Sequence, residues 1–490
     1  MPNKRRAGIL LHITSLPGSH DNGDLGKQAY QFVDFLNDTG ISVWQTLPLG
    51  MPHGGGSPYQ CLSAHAGNPS LISLDGLQNK GWLNPVIVSN HSHVDSSHKL
   101  SKKDFLKQAF QNFQHKAQQS DRIEFKKFCL EKADWLDDFS LFLVLKEMFE
   151  GKAWFDWPDS FRNRNNNTLG EVSRKLFAEI EVVKFEQFIF FQQWHELRQY
   201  ANQKGVLLFG DIPIFVAYDS AEVWAHSEIF KLDDEKQMRV VAGVPPDYFS
   251  ETGQRWGNPH FDWQYLEKTD FQWWLERMQT QLELFDIVRI DHFRGFEAAW
   301  EIPAEEPTAI NGTWVKAPGE ALLNSFKGAF GAIPLVAEDL GVITDEVEAL
   351  RDQFQLPGMK ILQFAFDGGT DNPYLPHNHT QNSVVYTGTH DNDTTLGWFN
   401  PLSDGEKHFI YEYLGFPQTE MPYALIHAAF ESIANLAIVP MQDVLELGSE
   451  DRMNTPGTVE GNWAWRFSWE QVTEEKSNRL AHLIDLFDRR

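Results

Sequence analysis

Cysteine is nearly absent: the 490 residues hold two, Cys61 and Cys129. Two isolated thiols make neither a disulfide framework nor a structural zinc site, and they suit a reducing compartment. No stretch reaches the ~20 apolar residues of a membrane helix. Positive charge is scarce, since 42 Lys+Arg against 68 Asp+Glu leave a net charge of −26. That sign argues against nucleic acid and anionic membranes as partners. Repeats, low-complexity tracts and Pro/Ser-rich linkers are also missing, which argues against linked modules. Lys4, Arg5 and Arg6 before the apolar 8–11 mimic a secretory leader, but His12 interrupts the run and no cleavage site follows. A cytoplasmic location is expected.

What is present is an ordinary globular composition, 42% hydrophobic and 22% charged, in a chain long enough to bury a large core unaided. Eight short apolar runs bounded by turn residues read as strands: 7–11, 42–49, 206–216, 287–292, 335–338, 360–366, 384–389 and 436–442. Helical patterns fit between several, for example 26–37 and 344–353. Alternation of this kind predicts an α/β fold, a (β/α)8 TIM barrel spanning 1–490. Two connections are too long for simple crossovers. The segment 73–200, with helical runs at 139–149 and 183–200, reads as a mostly helical insertion after strand 2. The segment 217–285 reads as an aromatic-rich loop insertion after strand 3, forming part of a substrate cleft.

Catalytic groups in such barrels sit at the C-terminal ends of strands. The third run ends at Asp211, the fourth carries Arg289 and Asp291 followed by His292, the fifth ends at Glu338, and the seventh runs into His390 and Asp391. Taken singly, each carboxylate is a turn or helix-cap residue, or half of a structural ion pair. Asp339 and Asp393 are read that way. Four carboxylates at one barrel end point instead to a catalytic cluster. It suits glycoside cleavage, with one carboxylate as nucleophile and another as proton donor. It also allows a metal site built from Asp211, Glu338, Asp391, His292 and His390, although no helical His pair supports one. Aromatic residues favour sugar: Tyr248, Phe249, Trp256, Phe261, Trp263 and Tyr265 alternate with Gly, Pro, Asp, Asn and Gln in the second insertion. Flat apolar faces beside amides can bind pyranose rings, and a self-packed loop is the alternative.

A series of segments then becomes specific by its order. They are GILLH (8–12), TSLPG (14–18), GSPYQ (56–60), AGNP (66–69), GDIPIFV (210–216), GVPPDYFSETGQRWGNP (243–259), RIDHFRGF (289–296), VAEDLG (336–341), GTHDN (388–392), RMNTPG (452–457) and GNW (461–463). Over essentially its whole length the chain resembles the 4-α-glucanotransferases (amylomaltases, or disproportionating enzymes) of glycoside hydrolase family 77, in the α-amylase clan. The resemblance implies that Asp291 is the nucleophile, Glu338 the general acid/base and Asp391 the transition-state stabiliser. It implies substrate contacts for Ser57, Tyr59, Asp211, Tyr248, Gln254, Trp256, Arg289, His292 and His390, with neither cofactor nor metal. The expected partners are α-1,4-glucans and maltooligosaccharides, with glucose as an acceptor. The chain departs from the family at Ile13, where Pro is common, and at Gly56, where an acidic or amide residue is common. Without a long N-terminal extension or starch-binding module, it resembles the compact bacterial type.

The chemistry implied is retaining. Asp291 attacks the anomeric carbon, Glu338 protonates the leaving oxygen, and Glu338 then deprotonates the incoming 4-hydroxyl. The residues alone leave an intracellular α-1,4-glucan hydrolase open as an alternative; the preference for transfer rests on the resemblance.

Overall fold

The computed structural model describes residues 4–18, 22–84, 101–246 and 250–490. Within them, each of the eight apolar runs holds a strand or part of one; 360–366 is strand only to Ile361 and then turns into a 3-10 helix at Leu362–Phe364. The strands are β1 (Arg6–Leu10), β2 (Val43–Gln45), β3 (Leu207–Pro213), β6 (Ile287–Asp291), β9 (Leu335–Ala337), β10 (Gly358–Ile361), β11 (Ser383–Tyr386) and β12 (Leu436–Pro440). The remaining four are β4 (Val240–Val244), β5 (Gln254–Pro259), β7 (Ala298–Pro303) and β8 (Thr313–Lys316). The first eight pair in parallel in the order β10-β11-β12-β1-β2-β3-β6-β9. Read cyclically this is chain order. The two ends of the sheet meet where Ala337 N–H donates to Pro357 O at 2.9 Å. The result is a (β/α)8 barrel.

Parallel strands are buried on both faces, which is why they read as continuous apolar runs. Leu10, Val43, Phe209, Ile287, Val336, Ile361, Val384 and Ile438 form one buried cluster. A second, larger cluster joins the opposite strand faces to the helices. Helix Lys27–Thr39 shows the pattern, burying Ala29, Phe32, Val33 and Leu36 on one stripe. It ends at Gly40, whose φ of 84° is the left-handed conformation that closes a helix.

Between β2 and β3 lie several helices, among them Lys102–Lys116, Gln119–Glu131, Ala133–Met148 and Phe177–Gln203. Phe110, Phe113, Phe125, Phe185 and Phe188 pack together there with ring centroids 5.0–6.5 Å apart. The segment 217–285 is more ordered than a loop. It supplies β4 and β5, which join β7 and β8 in an antiparallel sheet of order β5-β4-β7-β8. This sheet escapes a reading by apolar runs because its strands are mixed: Gln254 and Arg255 in β5 are exposed, as are Thr313 and Trp314 in β8.

The chain ends are tied together at the far end of the barrel. Arg489 is fully buried, and its guanidinium donates to the carbonyls of Arg6, Phe430, Ser432 and Ala434. Arg5 caps Phe430, Glu431 and Ser432 from outside. Cys61 and Cys129 are both free thiols, and among the described residues no helix is long and apolar enough to cross a membrane.

Candidate active site

Strand register assembles the site. In the β3–β6 pair, Asp211 lies opposite Arg289 and Pro213 opposite Asp291; in β6–β9, Ile290 lies opposite Ala337. The residues that follow, Asp291 and Glu338, therefore emerge side by side at the C-terminal mouth. β11 ends four residues before His390, and its loop returns His390 and Asp391 to the same mouth.

One nitrogen organises the charges. Arg289 Nη1 donates to Asp211 Oδ1 and Oδ2 at 2.8 and 2.7 Å and lies 2.9 Å from Asp291 Oδ1. Burial alone would lower the guanidinium, but Asp211 and Asp291, with Tyr59 and Glu338, hold it well above its ordinary range. Burial pushes Asp291 up to about 6; Arg289 opposes that rise, and the carboxylates of Asp211 and Asp391 add to it. Glu338 Oε2 accepts the main-chain N–H of His292 at 2.6 Å, and Oε1 accepts that of Leu340 at 3.1 Å. Burial still carries Glu338 up to about 7, against Arg289 and with help from the Asp291 charge. His292 offers its N–H from a left-handed turn, φ 54° and ψ 49°, that ends β6.

Asp391 is the opposite case. Burial works against its charge, but His390, with Nε2 3.2 Å from Oδ2, and Asn454, donating to Oδ1 at 2.6 Å, hold it well below the usual carboxylate range. His390 is raised in turn: Asp391 outweighs the burial that would lower it. Three carboxylates at one mouth thus fall into two states, one fixed as an anion and two titrating near neutrality.

Tyr59 bridges the site, donating its hydroxyl to Asp211 Oδ2 at 2.8 Å and stacking on His390 with centroids 5.1 Å apart and planes 15° apart. Trp463 packs 6.0 Å from both rings. Trp256 meets His292 edge-on at 4.9 Å, and its indole N–H donates to Gln254 Oε1 at 3.1 Å. Ser57 lies in the turn leading to Tyr59, with its hydroxyl 3.3 Å from Tyr59 N. Tyr248 and Phe249 lie outside the described residues. The structure therefore brings Asp211, Arg289, Asp291, His292, Glu338, His390, Asp391, Tyr59 and Trp256 together; Gln254 reaches the group through Trp256, and Ser57 through the turn to Tyr59. Asp339 is spent elsewhere, accepting from Arg351 Nη1 and Met359 N. Asp393 is held by Thr394 N and Ser449 Oγ.

No role was expected for Asn454 or Arg452, whose Nη2 donates to Asp391 O at 3.0 Å. Both stand in the RMNTPG segment, whose position in the ordered series was the only signal available. Arg289, two main-chain N–H groups and Asn454 donate to the site's carboxylates, and among the described residues no group of three or more His, Cys, Asp or Glu is arranged to hold an ion.

The family description "4-alpha-glucanotransferase", glycoside hydrolase family 77, matches residues 11–473. The chain belongs to that family. The 4-alpha-glucanotransferase of Thermus thermophilus is 50% identical over 497 residues, covering 99% of each chain. That of Synechocystis is 48% identical over 500 residues, covering 100% of this chain and 99% of the relative. An amylomaltase from Streptococcus agalactiae, solved in complex with acarbose, superposes with a TM-score of 0.93 at 38% identity, covering 99% of this chain and 100% of that one. The amylomaltase of Corynebacterium glutamicum shares the fold at 17% identity, with a TM-score of 0.74, covering 98% and 75%.

Proposed function

We propose that this 4-α-glucanotransferase works by retaining double displacement, with Asp291 as nucleophile, Glu338 as general acid and base, and Asp391 as stabiliser of the oxocarbenium-like transition state. The observation that carries the reading is the meeting of the three carboxylates at one barrel mouth, with Arg289 Nη1 2.9 Å from Asp291 Oδ1, Glu338 Oε2 on His292 N–H at 2.6 Å and Asn454 donating to Asp391 Oδ1 at 2.6 Å. Asp391 is locked as an anion beside His390 and Asn454, whereas Glu338 is raised to about 7 and can hold a proton near neutral pH.

The steps follow from the atoms. Arg289 occupies Asp291 Oδ1, which leaves Oδ2 free to bond to the anomeric carbon of an α-1,4-glucan. As that bond forms, the glycosidic C–O bond breaks and Glu338 delivers its proton to the departing 4-oxygen. Glu338, now an anion, takes the proton of an incoming 4-hydroxyl. The new oxygen displaces Asp291, and configuration is retained. Tyr59, Asp211, His292 and His390 line the subsite of the cleaved glucose. His292 Nε2, buried without a partner among the described residues, is met by a sugar hydroxyl. Trp256 and Gln254, with Ser57 and Tyr248, serve the donor glucan and the acceptor.

Transfer requires the acceptor to outrun water at ~55 M, and a well-oriented bound partner reaches effective molarities far above that. Residues 73–200 and 217–285 are read as insertions of one catalytic domain that wall this cleft. The partners are α-1,4-glucans and maltooligosaccharides, with glucose as an acceptor. The −26 charge speaks against nucleic acid and anionic membranes, and the two free thiols for the cytoplasm. Maltotriose tests the reading. Glucose plus longer maltooligosaccharides at a constant reducing-end count is the transfer result; a rising count is the result for a hydrolase, and overturns it.

A further inference from the structure

We propose that Asp443 is a positioning residue for the reaction, a carboxylate that clamps both ends of the loop carrying His390 and Asp391; the inference rests on the reading of Asp391 as stabiliser. Asp443 sits in the short helix Met441–Val444 just after β12 and is 1% exposed. Its Oδ2 accepts the hydroxyls of Thr387 at 2.6 Å and Thr395 at 2.7 Å, and its Oδ1 accepts Thr395 N–H at 2.7 Å. Thr387 follows β11 directly, and Thr395 opens helix Thr395–Phe399. The residues between, 388–394, are the loop of His390 and Asp391.

A buried carboxylate is costly unless its lone pairs are met, and an apolar side chain would fill the same space without that cost. What the apolar side chain lacks is a pair of acceptors at a fixed separation, which is what joins the loop's two ends. Other contacts shape the loop itself. Asn392 Oδ1 accepts from Thr389 N and Oγ1 at 2.8 and 2.9 Å, and Gln363 Nε2 donates to Asp393 O at 2.9 Å. Asn454 and Arg452 hold Asp391 itself, through Oδ1 and its main-chain O. Asp443 grips both points where the loop leaves and rejoins the barrel, and Gln363 N, donating to Thr387 O at 3.3 Å, supports the first of them. It touches no reacting atom, so its effect is on where Asp391 stands.

The test uses full-length enzyme on maltotriose, with rates scaled to the folded fraction by circular dichroism. Asp443→Asn keeps the volume but replaces one acceptor oxygen by a donor. It is expected to lower kcat roughly tenfold or more with KM within about twofold, because displacing a catalytic group by about 1 Å costs up to about a hundredfold. Thr387→Val and Thr395→Val each remove one hydroxyl and lower kcat in the same sense by smaller factors. Asp391→Asn is measured alongside. If it is inactive while folded Asp443→Asn keeps the wild-type kcat, or raises KM alone, the clamp is overturned and the catalytic reading stands. If Asp391→Asn stays active, that reading falls and takes the clamp with it. Should Asp443→Asn not fold, the two Val variants decide, and unchanged kcat in both overturns the clamp.

Discussion

Glu338 is fastened by its Oε2 to the main-chain N–H of His292 at 2.6 Å, so the proton donor is anchored on the residue that directly follows the nucleophile. The separation between the two groups is therefore set by backbone, through the β6–β9 register, and does not depend on a flexible side-chain bridge. Replacing Asp291 by its amide should leave that framework standing, because neither main-chain contact of Glu338 involves it.

Asp291→Asn should abolish the covalent intermediate and nearly all turnover, with the thermal midpoint close to wild type. Activity on maltotriose above a few per cent in a freshly purified sample would assign the nucleophile elsewhere.

The pH profile should be a narrow bell. Asp291 must be ionised, so activity falls as pH drops through about 6; Glu338 must be protonated, so activity falls as pH rises through about 7. Arg289→Lys keeps a charge but cannot reproduce the contacts to Asp211 and Asp291 together. The acid limb of kcat/KM should then move to higher pH, and an unmoved limb would remove Arg289 as the group that keeps Asp291 ionised.

Trp256→Ala should raise the ratio of hydrolysis to transfer. Losing a stacking face costs about 1–2 kcal/mol, roughly tenfold in partitioning, and leaves Asp291 and Glu338 in place. Glucose release and reducing-end gain, followed in the same maltotriose samples, measure the ratio. If both reactions fall together with lowered thermal stability, Trp256 is loop core.

Incubation with EDTA followed by desalting should leave the rate on maltotriose unchanged, because Glu338 and Asp391 already accept N–H donors of the protein. A loss restored by one divalent ion would revive the metal reading.

Arg489→Met should lower the thermal midpoint without altering KM. It takes this donor from the carbonyls of Arg6 and Ala434, while Arg5 still reaches those of Phe430 and Ser432, and each buried orphan costs about 1–3 kcal/mol. Differential scanning calorimetry measures the shift.

Most of the barrel is legible in the sequence because a parallel strand advertises itself by continuous burial, as 436–442 does. The carboxylates are legible because the topology allows them one place only, the strand ends. Asn454 and Asp443 are not, because each reaches the loop of Asp391 from a distant part of the chain: 63 residues separate Asn454 from Asp391, and 48 separate Asp443 from Thr395. No local pattern encodes such a pairing. The antiparallel sheet is hidden for a different reason. β8 is a four-residue edge strand with exposed side chains, and its partner β7 lies beyond β6, outside the segment that holds β4 and β5.

The clasp of Arg489 on the start of β1 sets an order of events. β1 pairs with β2 on one side and β12 on the other, so on a ribosome the first strand emerges with half its neighbours more than four hundred residues from being made. Until then the sheet has an open flank, and closure waits for β12, with the arginine that seals it arriving only after helix Glu474–Leu486. Sequence-distant closure of this kind makes folding slow, and a barrel that has paired β12 but not yet gained Arg489 has its strands in register while its seam carbonyls are still unsealed.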